Sequence, residues 1–379
     1  MMKNRERYGL YIHIPFCIKK CGYCDFLSFP MDGDGRMAYL HALAAEMKLW
    51  RKTLPDFIVD TVYIGGGTPS SLETGELAFL FRALLDTFSL DAVCEFTIEC
   101  NPGTVTAEKL QLMRQAGVNR ISFGLQSTVN KELKALGRIH SYEDFVRGFE
   151  LARTSGFDNV SVDVMAAIPE QSLQSYVEGL GRLIRLGPEH ISAYSLIIEE
   201  GTPFYSRYGD TPPVDEETDR LMYKRTGEIL AEAGYRRYEI SNYAKRGREC
   251  RHNIKYWRRQ EYIGMGLSAA SFLGKRRIKN ETGIERYQER IRKGQLPFLE
   301  EETLTCGEEM AEYMFLGLRM MEGVSVEGFE KQFHQTFAKR YGDLISRFIS
   351  QGLLKRDGDR IFLTGSGIDV SNRIFAELI

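Results

Sequence analysis

The stretch Leu10-Tyr-Ile-His-Ile-Pro-Phe-Cys17-Ile-Lys-Lys-Cys21-Gly-Tyr-Cys24-Asp-Phe26 organises the interpretation of the whole chain. It begins with apolar residues at alternating positions, a pattern that is typical of a half-buried strand. Pro15 ends this strand, because proline offers no N–H to a neighbouring strand. Three cysteines follow at C-x3-C-x2-C spacing, close enough to surround one small object. Soft thiolate ligands favour an iron–sulfur cluster, zinc or copper(I).

The number of cysteines in this loop bears on which metal group it holds. A closed structural zinc site takes four ligands, but Asp25 and Phe26 follow the third cysteine and no fourth cysteine is near. Three thiolates on a cubane [4Fe-4S] cluster leave one iron without a protein ligand, and a small chelating molecule can bind there. Spacing alone leaves zinc, or a chance cluster of cysteines, as alternatives.

Length and composition indicate an ordinary globular protein with room for more than one domain. The chain has 379 residues, of which 43% are hydrophobic and 27% charged. A net charge of −2 gives no basic excess that favours nucleic acid or a membrane surface. The sequence has no apolar leader and no run long enough to span a bilayer. Seven cysteines without framework spacing indicate a reducing, cytoplasmic compartment, with a structural role for Cys94, Cys100, Cys250 and Cys306.

Strands and helices alternate through the first two thirds of the chain. Periodicity predicts strands at 10–14, 61–64, 94–100, 119–125, 159–166 and 190–198, and helices at 36–52, 77–88, 106–116, 142–155, 173–186 and 215–233. Thr106 is the predicted N-cap of its helix. Strands separated by helices pair in parallel through crossover connections, which predicts an α/β fold. A further strand is predicted over 237–243.

With the strand in front of it, the cysteine motif resembles that of the radical S-adenosylmethionine (SAM) superfamily. The fuller string from Tyr11 to Phe26 is similar to that of the HemN/HemW group within it. The resemblance implies a partial (β/α)6 barrel with its chemistry at the carboxyl ends of the strands. It also implies a [4Fe-4S] cluster on Cys17, Cys21 and Cys24, with SAM chelating the open iron.

Residues near the predicted strand ends match positions that bind SAM in this superfamily. Gly65-Gly-Gly-Thr-Pro69 follows the second strand, where glycines let the backbone approach a ligand closely. An unpaired carboxylate inside a strand is costly, and the family uses the acid at Asp163 on the ribose hydroxyls. Without the resemblance, a glycine turn, salt bridges and core packing would explain the same residues. The resemblance implies SAM contacts by Tyr11, Tyr23, Gly66, Gly67, Thr68, Glu99, Gln126, Arg138, Asp163 and Leu196.

The match departs from the family pattern after the fifth strand. Family members commonly read Gly-Leu-Pro-Gly-Gln there, whereas this chain reads Ala166-Ala-Ile-Pro-Glu-Gln171. Without glycine the backbone is less permissive, so a differently shaped loop is expected. No binding role is assigned to Glu170 or Gln171.

A second motif, His252-Asn253-x-x-Tyr256-Trp257, is similar to one of the HemW branch. An imidazole can ligate haem iron, aromatic faces can pack on the macrocycle, and nearby arginines can bind propionates. The resemblance implies haem contact by His252. The alternative is a hydrogen-bonded structural His-Asn pair beside core aromatics.

The last part of the chain is predicted to be a small, mainly helical, winged-helix-like domain. Helices are expected at 308–320, 326–333 and 341–351, followed by a hairpin across Asp357-Gly358. Pro297 and the acidic run 300–302 suggest a boundary, which gives predicted domains at 1–235, 236–300 and 301–379. Acidic residues interleave with the basic ones, so packing or partner contact is favoured over DNA binding.

These observations together lead to one functional hypothesis and two alternatives. HemN-type oxidases usually carry a fourth cysteine at the position of Phe26 and have an N-terminal extension before the motif. We therefore expect a haem chaperone that binds haem and delivers it to an acceptor protein, and leave open whether it is an enzyme. The alternatives are an oxygen-independent coproporphyrinogen III oxidase and a zinc-stapled winged-helix regulator.

Overall fold

A twelve-stranded mixed sheet dominates the computed structural model, which describes residues 6–379. Its spatial order is β12-β11-β10-β9-β1-β2-β3-β4-β5-β6-β8-β7. The strands are β1 (Arg7–Ile14), β2 (Ile58–Gly66), β3 (Glu95–Cys100), β4 (Arg120–Gln126), β5 (Val160–Ala166), β6 (His190–Ser195), β7 (Arg236–Arg237), β8 (Asn242–Ala244), β9 (Tyr262–Met265), β10 (Ala270–Leu273), β11 (Arg276–Asn280) and β12 (Phe298–Thr303).

The six predicted parallel strands form the centre of this sheet. Strands β1 to β6 pair in sequence order and in parallel, which confirms the partial (β/α)6 barrel. Strand β9 adds in parallel to the other edge of β1, and β10, β11 and β12 continue from it in antiparallel pairs. At the far edge, β8 pairs antiparallel with β6, and β7 with β8.

Helices connect the strands and cover the outer face of the sheet. Their bounds are α1 (Gly33–Thr53), α2 (Thr74–Thr87), α3 (Ala107–Gln115), α4 (Asn130–Ala135), α5 (Tyr142–Thr154), α6 (Leu173–Leu186), α7 (Pro203–Tyr208), α8 (Glu216–Glu232), α9 (Arg251–Trp257) and α10 (Ile284–Arg292), with a 3-10 turn at Pro69–Ser71. Thr106 is the N-cap of α3 as predicted, because its side chain accepts a hydrogen bond from the Lys109 N–H.

Strand periodicity divides apolar from polar side chains. Leu10, Ile12 and Ile14 of β1 are fully buried in the main core with residues of the surrounding helices. The inner face of the sheet instead carries buried polar groups, such as Arg120 and His190. Because successive side chains of a strand point to opposite faces, the inward-facing polar side chains at the carboxyl ends of β1 to β6 lie at the mouth of the barrel.

Two expectations for the middle of the chain need correction. The predicted strand at 237–243 is two short strands, β7 and β8, because the Glu239 carboxylate accepts hydrogen bonds from the Ser241 N–H and the Asn242 side chain and so organises a turn between them. The acidic run 300–302 does not interrupt the structure, since it lies in β12, an exposed edge strand of the large sheet. The predicted domain limits themselves stay a proposal.

The last segment has its own hydrophobic core, which includes Met314, Phe329 and Ile361. Three short strands pair in the order β13-β15-β14, and the predicted hairpin joins β14 to β15. The elements are α11 (Cys306–Arg319), β13 (Val324–Ser325), α12 (Val326–Phe333), α13 (Phe337–Ser350), β14 (Leu354–Asp357), β15 (Arg360–Leu363), α14 (Gly365–Asp369) and α15 (Ser371–Ala376). Within residues 6–379, no helix combines the length and the apolar character needed to cross a bilayer.

Candidate SAM and iron–sulfur site with an adjoining aromatic chamber

The cysteine loop folds over the carboxyl end of β1. Two backbone hydrogen bonds close it, from the Cys17 N–H to the Phe29 carbonyl at 3.2 Å and from the Phe29 N–H to the Pro15 carbonyl at 2.9 Å. Cys17, Cys21 and Cys24 are free, half-buried thiols. They line one cavity, called here the cysteine-loop cavity. The predicted site residues on its wall are Cys17, Cys21, Tyr23, Cys24, Gly66, Gly67, Thr68, Glu99, Gln126, Arg138 and Asp163.

The glycines at the carboxyl end of β2 form a cradle that no larger residue fits. Gly66 has a left-handed backbone with φ of 108°, and a Cβ there would lie 2.3 Å from the His13 ring. A Cβ at Gly67 would lie 2.7 Å from the Phe16 carbonyl oxygen. The Thr68 hydroxyl lies 3.4 Å from Cys17 Sγ, so this turn and the cysteine loop form a single wall.

His13 holds the cysteine loop against the glycine cradle, a role that the sequence interpretation missed. Its Nε2 lies 3.0 Å from the Leu27 carbonyl oxygen, and its Nδ1 lies 2.9 Å from the Tyr11 hydroxyl. Burial lowers the pKa of His13, so the neutral imidazole is favoured. The available signal was position, since His13 shares the inward parity of Tyr11 on β1.

Two buried carboxyl groups face the cavity. Glu99 accepts hydrogen bonds from the Tyr63 hydroxyl at 2.7 Å and from the Gly66 N–H at 3.0 Å. Burial nevertheless raises the pKa of Glu99 to about 7, despite these two donors. Burial also raises the pKa of Asp163, whose oxygen lies 3.5 Å from the Ser122 hydroxyl. Both groups can accept hydrogen bonds from a polar ligand.

Arg138 reaches the cavity because Gly137, with φ of 79°, ends the turn after α4. Its Nη2 donates to the Gly124 carbonyl at 2.6 Å and to Asn101 Oδ1 at 3.0 Å, and its Nη1 lies 3.6 Å from Cys21 Sγ. Among the residues that the structure describes, Arg138 Nε has no hydrogen-bond partner although it is buried. A donor is therefore still available beside the thiols.

The remaining predicted contacts divide between this cavity and its surroundings. Gln126 has a left-handed backbone with φ of 74° and accepts a hydrogen bond from the Tyr194 hydroxyl at 3.3 Å. Tyr194 and Asn101 also line the cavity and were not predicted, although both lie at or just after strand ends. Leu196 packs in an apolar cluster near Phe204 and is not on the cavity wall. Tyr11 lines the neighbouring spaces instead.

The loop after β5 has a backbone that glycine favours, and the expectation of a differently shaped loop stays a prediction. Ala167 and Glu170 stand where family members commonly have glycine, and both adopt left-handed backbones with φ of 56° and 68°. The chain thus keeps a conformation that suits glycine while carrying side chains that strain it.

The donor set of the cysteine-loop cavity fits a cluster and SAM. Three thiols stand together, and the glycine cradle admits a ligand where a Cβ would block it. An unpartnered guanidinium nitrogen and two buried carboxyl groups supply donors and acceptors for a zwitterionic molecule. Within residues 6–379, no group of three His, Cys, Asp or Glu side chains converges on a point suited to a single metal ion.

A second and larger cavity, called here the aromatic chamber, adjoins the first. Its volume of about 440 Å³ is in the range of small-molecule sites. Phe26 lines both cavities, and a smaller cavity that borders Tyr11, Glu99 and Tyr256 lies between them. The chamber walls include Tyr11, His13, Phe26, Leu27, Tyr256, Trp257, Arg259, Tyr262, Phe272, Arg277 and Leu316.

Helix α9 carries the His-Asn-x-x-Tyr-Trp motif to the edge of this chamber. The Glu95 carboxylate accepts hydrogen bonds from the first two N–H groups of the helix, at 2.8 and 3.0 Å. His252 is fully buried, with Nδ1 2.9 Å from the Thr61 hydroxyl and Nε2 2.8 Å from the Tyr256 hydroxyl. Haem contact by His252 remains a prediction, and iron ligation would require one of these hydrogen bonds to break.

Comparisons with known proteins agree with this geometry. The family model described as the radical SAM superfamily matches residues 11–181, and that of the HemN C-terminal domain matches residues 304–370. The solved structure of coproporphyrinogen III oxidase (HemN) from Escherichia coli covers 99% of this chain and 90% of its own, with a TM-score of 0.87 and 22% identity. At that identity the likeness shows the shared fold.

Two curated relatives extend over almost the whole chain. "Heme chaperone HemW" of Lactococcus lactis is 36% identical, covering 97% of this chain and 96% of the relative. "Heme chaperone HemW" of Bacillus subtilis is 35% identical, covering 97% of this chain and 98% of the relative.

The partial barrel and its cysteine loop define the class as the radical SAM proteins, which implies a [4Fe-4S] cluster and SAM. Within that class, the identity to full-length relatives shows that the chain belongs to the HemW family of the HemN/HemW group.

Proposed function

We propose that this protein binds haem and passes it to an acceptor protein, with a [4Fe-4S] cluster and SAM in the cysteine-loop cavity. The observation that carries the proposal is the near-complete coverage, in both directions, by relatives named "Heme chaperone HemW". The aromatic chamber beside the cysteine loop supports it, because it offers a cavity of about 440 Å³ with aromatic walls apart from the wall of thiols.

The cofactor assignment follows the donor set. Cys17, Cys21 and Cys24 would ligate three irons of the cluster and leave the fourth to SAM. Together the two cofactors supply one-electron redox and radical chemistry when bound. The glycine cradle with Thr68 would take the amino end of SAM, and Arg138 would give its free donor to the SAM carboxylate.

Further contacts to SAM are assigned to the remaining cavity residues. Buried Asp163 is suited to accept hydrogen bonds from the ribose hydroxyls, and Glu99 is suited to a polar group near the cradle. Tyr23 and Gln126 line the same wall. The contacts proposed for Tyr11 and Leu196 are less direct, since neither lines the cysteine-loop cavity.

Haem is assigned to the aromatic chamber. Faces of Tyr256, Trp257 and Phe272 would pack on the macrocycle, and Arg259 and Arg277 would bind its carboxylates. His252 would act through the Tyr256 hydroxyl that it holds, as a positioning residue, or as an iron ligand after rearrangement.

Phe26 supports the chaperone over the oxidase. It stands where HemN-type oxidases usually carry a fourth cysteine, and its side chain is 62% exposed between the two cavities. An apolar ring at the border of the two cavities suits contact with a flat apolar ligand, which a metal-ligating thiol in its place would not.

Anaerobic reconstitution with iron and sulfide tests these assignments. The wild type is expected to gain an iron–sulfur absorption band that the Cys17/Cys21/Cys24 triple alanine variant lacks. A double variant of the exposed Cys94 and Cys306 is the matched control and should keep the band.

With SAM and a reductant, the reconstituted protein should transfer bound haem to a haem-free acceptor. Repeated turnover of coproporphyrinogen III would refute the chaperone proposal, and a zinc-loaded protein without iron would refute the cluster.

A further inference from the structure

Two arginines in the aromatic chamber share one aromatic ring. The guanidinium of Arg259 lies 5.3 Å from the Phe272 ring centroid, and that of Arg277 lies 4.9 Å from it. Arg259 lies just after α9 and Arg277 in β11, so two different elements bring the two positive charges together. Such a pair suits a ligand that has both a flat apolar body and carboxylates.

One carboxylate of helix α11 bridges these arginines. Glu312 Oε2 lies 2.9 Å from Arg259 Nε, and Glu312 Oε1 lies 2.6 Å from Arg277 Nε. Glu309, one turn earlier, lies 3.5 Å from Arg259 Nη2. Leu316, one turn later, lines the chamber. One face of α11 therefore forms a chamber wall and supplies the counter-charge for both arginines.

The Arg259–Glu312 ion pair is shielded from water, and Arg259 still has an unused hydrogen-bond donor. The side chains of Arg259 and Glu312 are only 5% and 11% exposed. Arg259 Nη2 is buried and has no hydrogen-bond partner among residues 6–379, although Glu309 lies within ion-pair distance. Arg259 also holds a left-handed backbone with φ of 50°, which costs energy in a residue with a side chain. Arg259 Nη2 is thus an unpartnered hydrogen-bond donor beside the chamber, and a ligand's acceptor can bind to it.

We propose that Glu312 is an internal competitor for the ligand's carboxylates, which exchange with it on Arg259 and Arg277 when a flat dicarboxylate macrocycle enters the chamber. This inference rests on the proposed function, because haem has this chemistry. It adds a consequence for the fold: exchange removes the two Glu312 ion pairs that hold α11 to the barrel, so occupancy of the chamber loosens α11 and is communicated to the C-terminal helical segment. The Lys275–Glu309 and Arg319–Glu239 pairs of α11 remain. At each arginine a ligand carboxylate takes the place of the bridging Glu312 carboxylate as counter-charge.

Wild-type protein tests the inference without any substitution. Haem and its dimethyl ester share the macrocycle, but only haem has free carboxylates. Amide hydrogen exchange is expected to become several-fold faster in α11 on saturation with haem and to stay unchanged with the ester. Equal exchange rates in α11 with both ligands bound would overturn the inference and leave haem binding itself intact. Absence of haem binding would overturn the proposed function together with it.

A near-isosteric variant gives a second readout. Glu312→Gln removes the competing charge and is expected to tighten haem binding by roughly tenfold, while the affinity for the ester stays the same. Glu301→Gln is the matched control, because Glu301 pairs with Arg276 on the neighbouring exposed edge and lies outside the chamber. Unchanged or weaker haem binding in Glu312→Gln would contradict the competition.

Discussion

At the scale of single residues, two positions after β5 carry side chains on a backbone that suits glycine. Ala167 and Glu170 both have left-handed φ values, and Ala167 is buried as well. A non-glycine residue with a left-handed backbone destabilises the folded state by roughly 1–2 kcal/mol. Replacement by glycine removes this strain, but it also raises the conformational entropy of the unfolded chain, which offsets part of the gain in stability.

Ala167→Gly is therefore expected to stabilise the protein by about 0.5–1 kcal/mol, measured as an upward shift of the unfolding midpoint in denaturant. Ala166→Gly is the control one residue earlier, inside β5, where added flexibility should destabilise by about 1 kcal/mol. A loss of stability in Ala167→Gly would show that the left-handed loop is not strained.

Arg138 is the residue on which the proposed SAM site depends most. Its guanidinium holds the Gly124 carbonyl and Asn101 and still has an unpartnered nitrogen among the described residues. Arg138→Lys keeps the charge but loses the planar fork of donors, so SAM affinity should fall by roughly tenfold to a hundredfold. Equilibrium binding of SAM to reconstituted protein measures this.

The cluster absorption should persist in Arg138→Lys, which separates SAM binding from cluster assembly. Arg147→Lys serves as a control, because Arg147 is an exposed residue of α5 that pairs with Asp144. If Arg138→Lys bound SAM as the wild type does, Arg138 would be a structural residue only.

Residue-level reasoning from sequence recovered most of the cysteine-loop cavity. The three cysteines, the glycine cradle, Glu99, Gln126, Arg138 and Asp163 all line it as expected. It missed His13: the alternation along β1 places this residue on the inward face, but its role also depends on the close approach of Gly66, which tertiary packing decides. It placed Leu196 by analogy; this residue packs against an apolar cluster off the cavity wall, and its contact with SAM stays a prediction.

At the scale of elements, local signals fixed some boundaries closely. Helix α6 was predicted with both ends correct, because Ser172 forms a capping box at its start and Gly187, with φ of 70°, ends it. Strand β12 was misread because its composition is acidic, yet an exposed edge strand tolerates charged residues well. Composition alone does not distinguish such an edge from a linker.

One buried carboxyl group of helix α1 forms hydrogen bonds to the part of the chain that contains β9, β11 and α10. Glu46 is fully buried and accepts hydrogen bonds from the Gly266 N–H, the Asn280 side chain and the Tyr287 hydroxyl. Burial raises the pKa of Glu46 to about 7, so its carboxyl group binds a proton more tightly in the folded than in the unfolded chain. Stability from this group is present at low pH and is lost as pH rises through about 7.

Between pH 5 and pH 8 the wild type should therefore lose on the order of 2–3 kcal/mol of unfolding free energy relative to Glu46→Gln. Denaturant titrations of both proteins across this range measure the difference. Glu301→Gln, an exposed edge residue, should keep the wild-type pH dependence. Parallel pH profiles for the wild type and Glu46→Gln would contradict the assignment.

At the scale of the whole molecule, the alternation of strands and helices predicted a parallel α/β fold and the family resemblance implied the barrel, but neither predicted the aromatic chamber. The alternation of strands and helices, with right-handed crossovers, leaves few topologies open. The chamber is built instead by the cysteine loop, α9, β9 to β11 and α11, which lie far apart in the chain. Such a site depends on tertiary packing, and only the His-Asn-x-x-Tyr-Trp motif indicated one of its walls.

The proposal that concerns the whole molecule is haem binding in the aromatic chamber next to the cysteine loop. Tyr256 is the appropriate probe, because it lines the chamber and contacts Tyr262 at a centroid distance of 4.5 Å. Tyr205, a more exposed tyrosine outside the chamber, is the matched control.

Anaerobic haem titration, followed by absorbance, tests this claim most directly. The wild type and Tyr205→Ala should saturate at one haem per chain, and Tyr256→Ala should bind at least roughly tenfold more weakly, because it loses an aromatic wall of the site. Saturable binding that is equally tight in Tyr256→Ala, or no saturable binding in the wild type, would contradict the account.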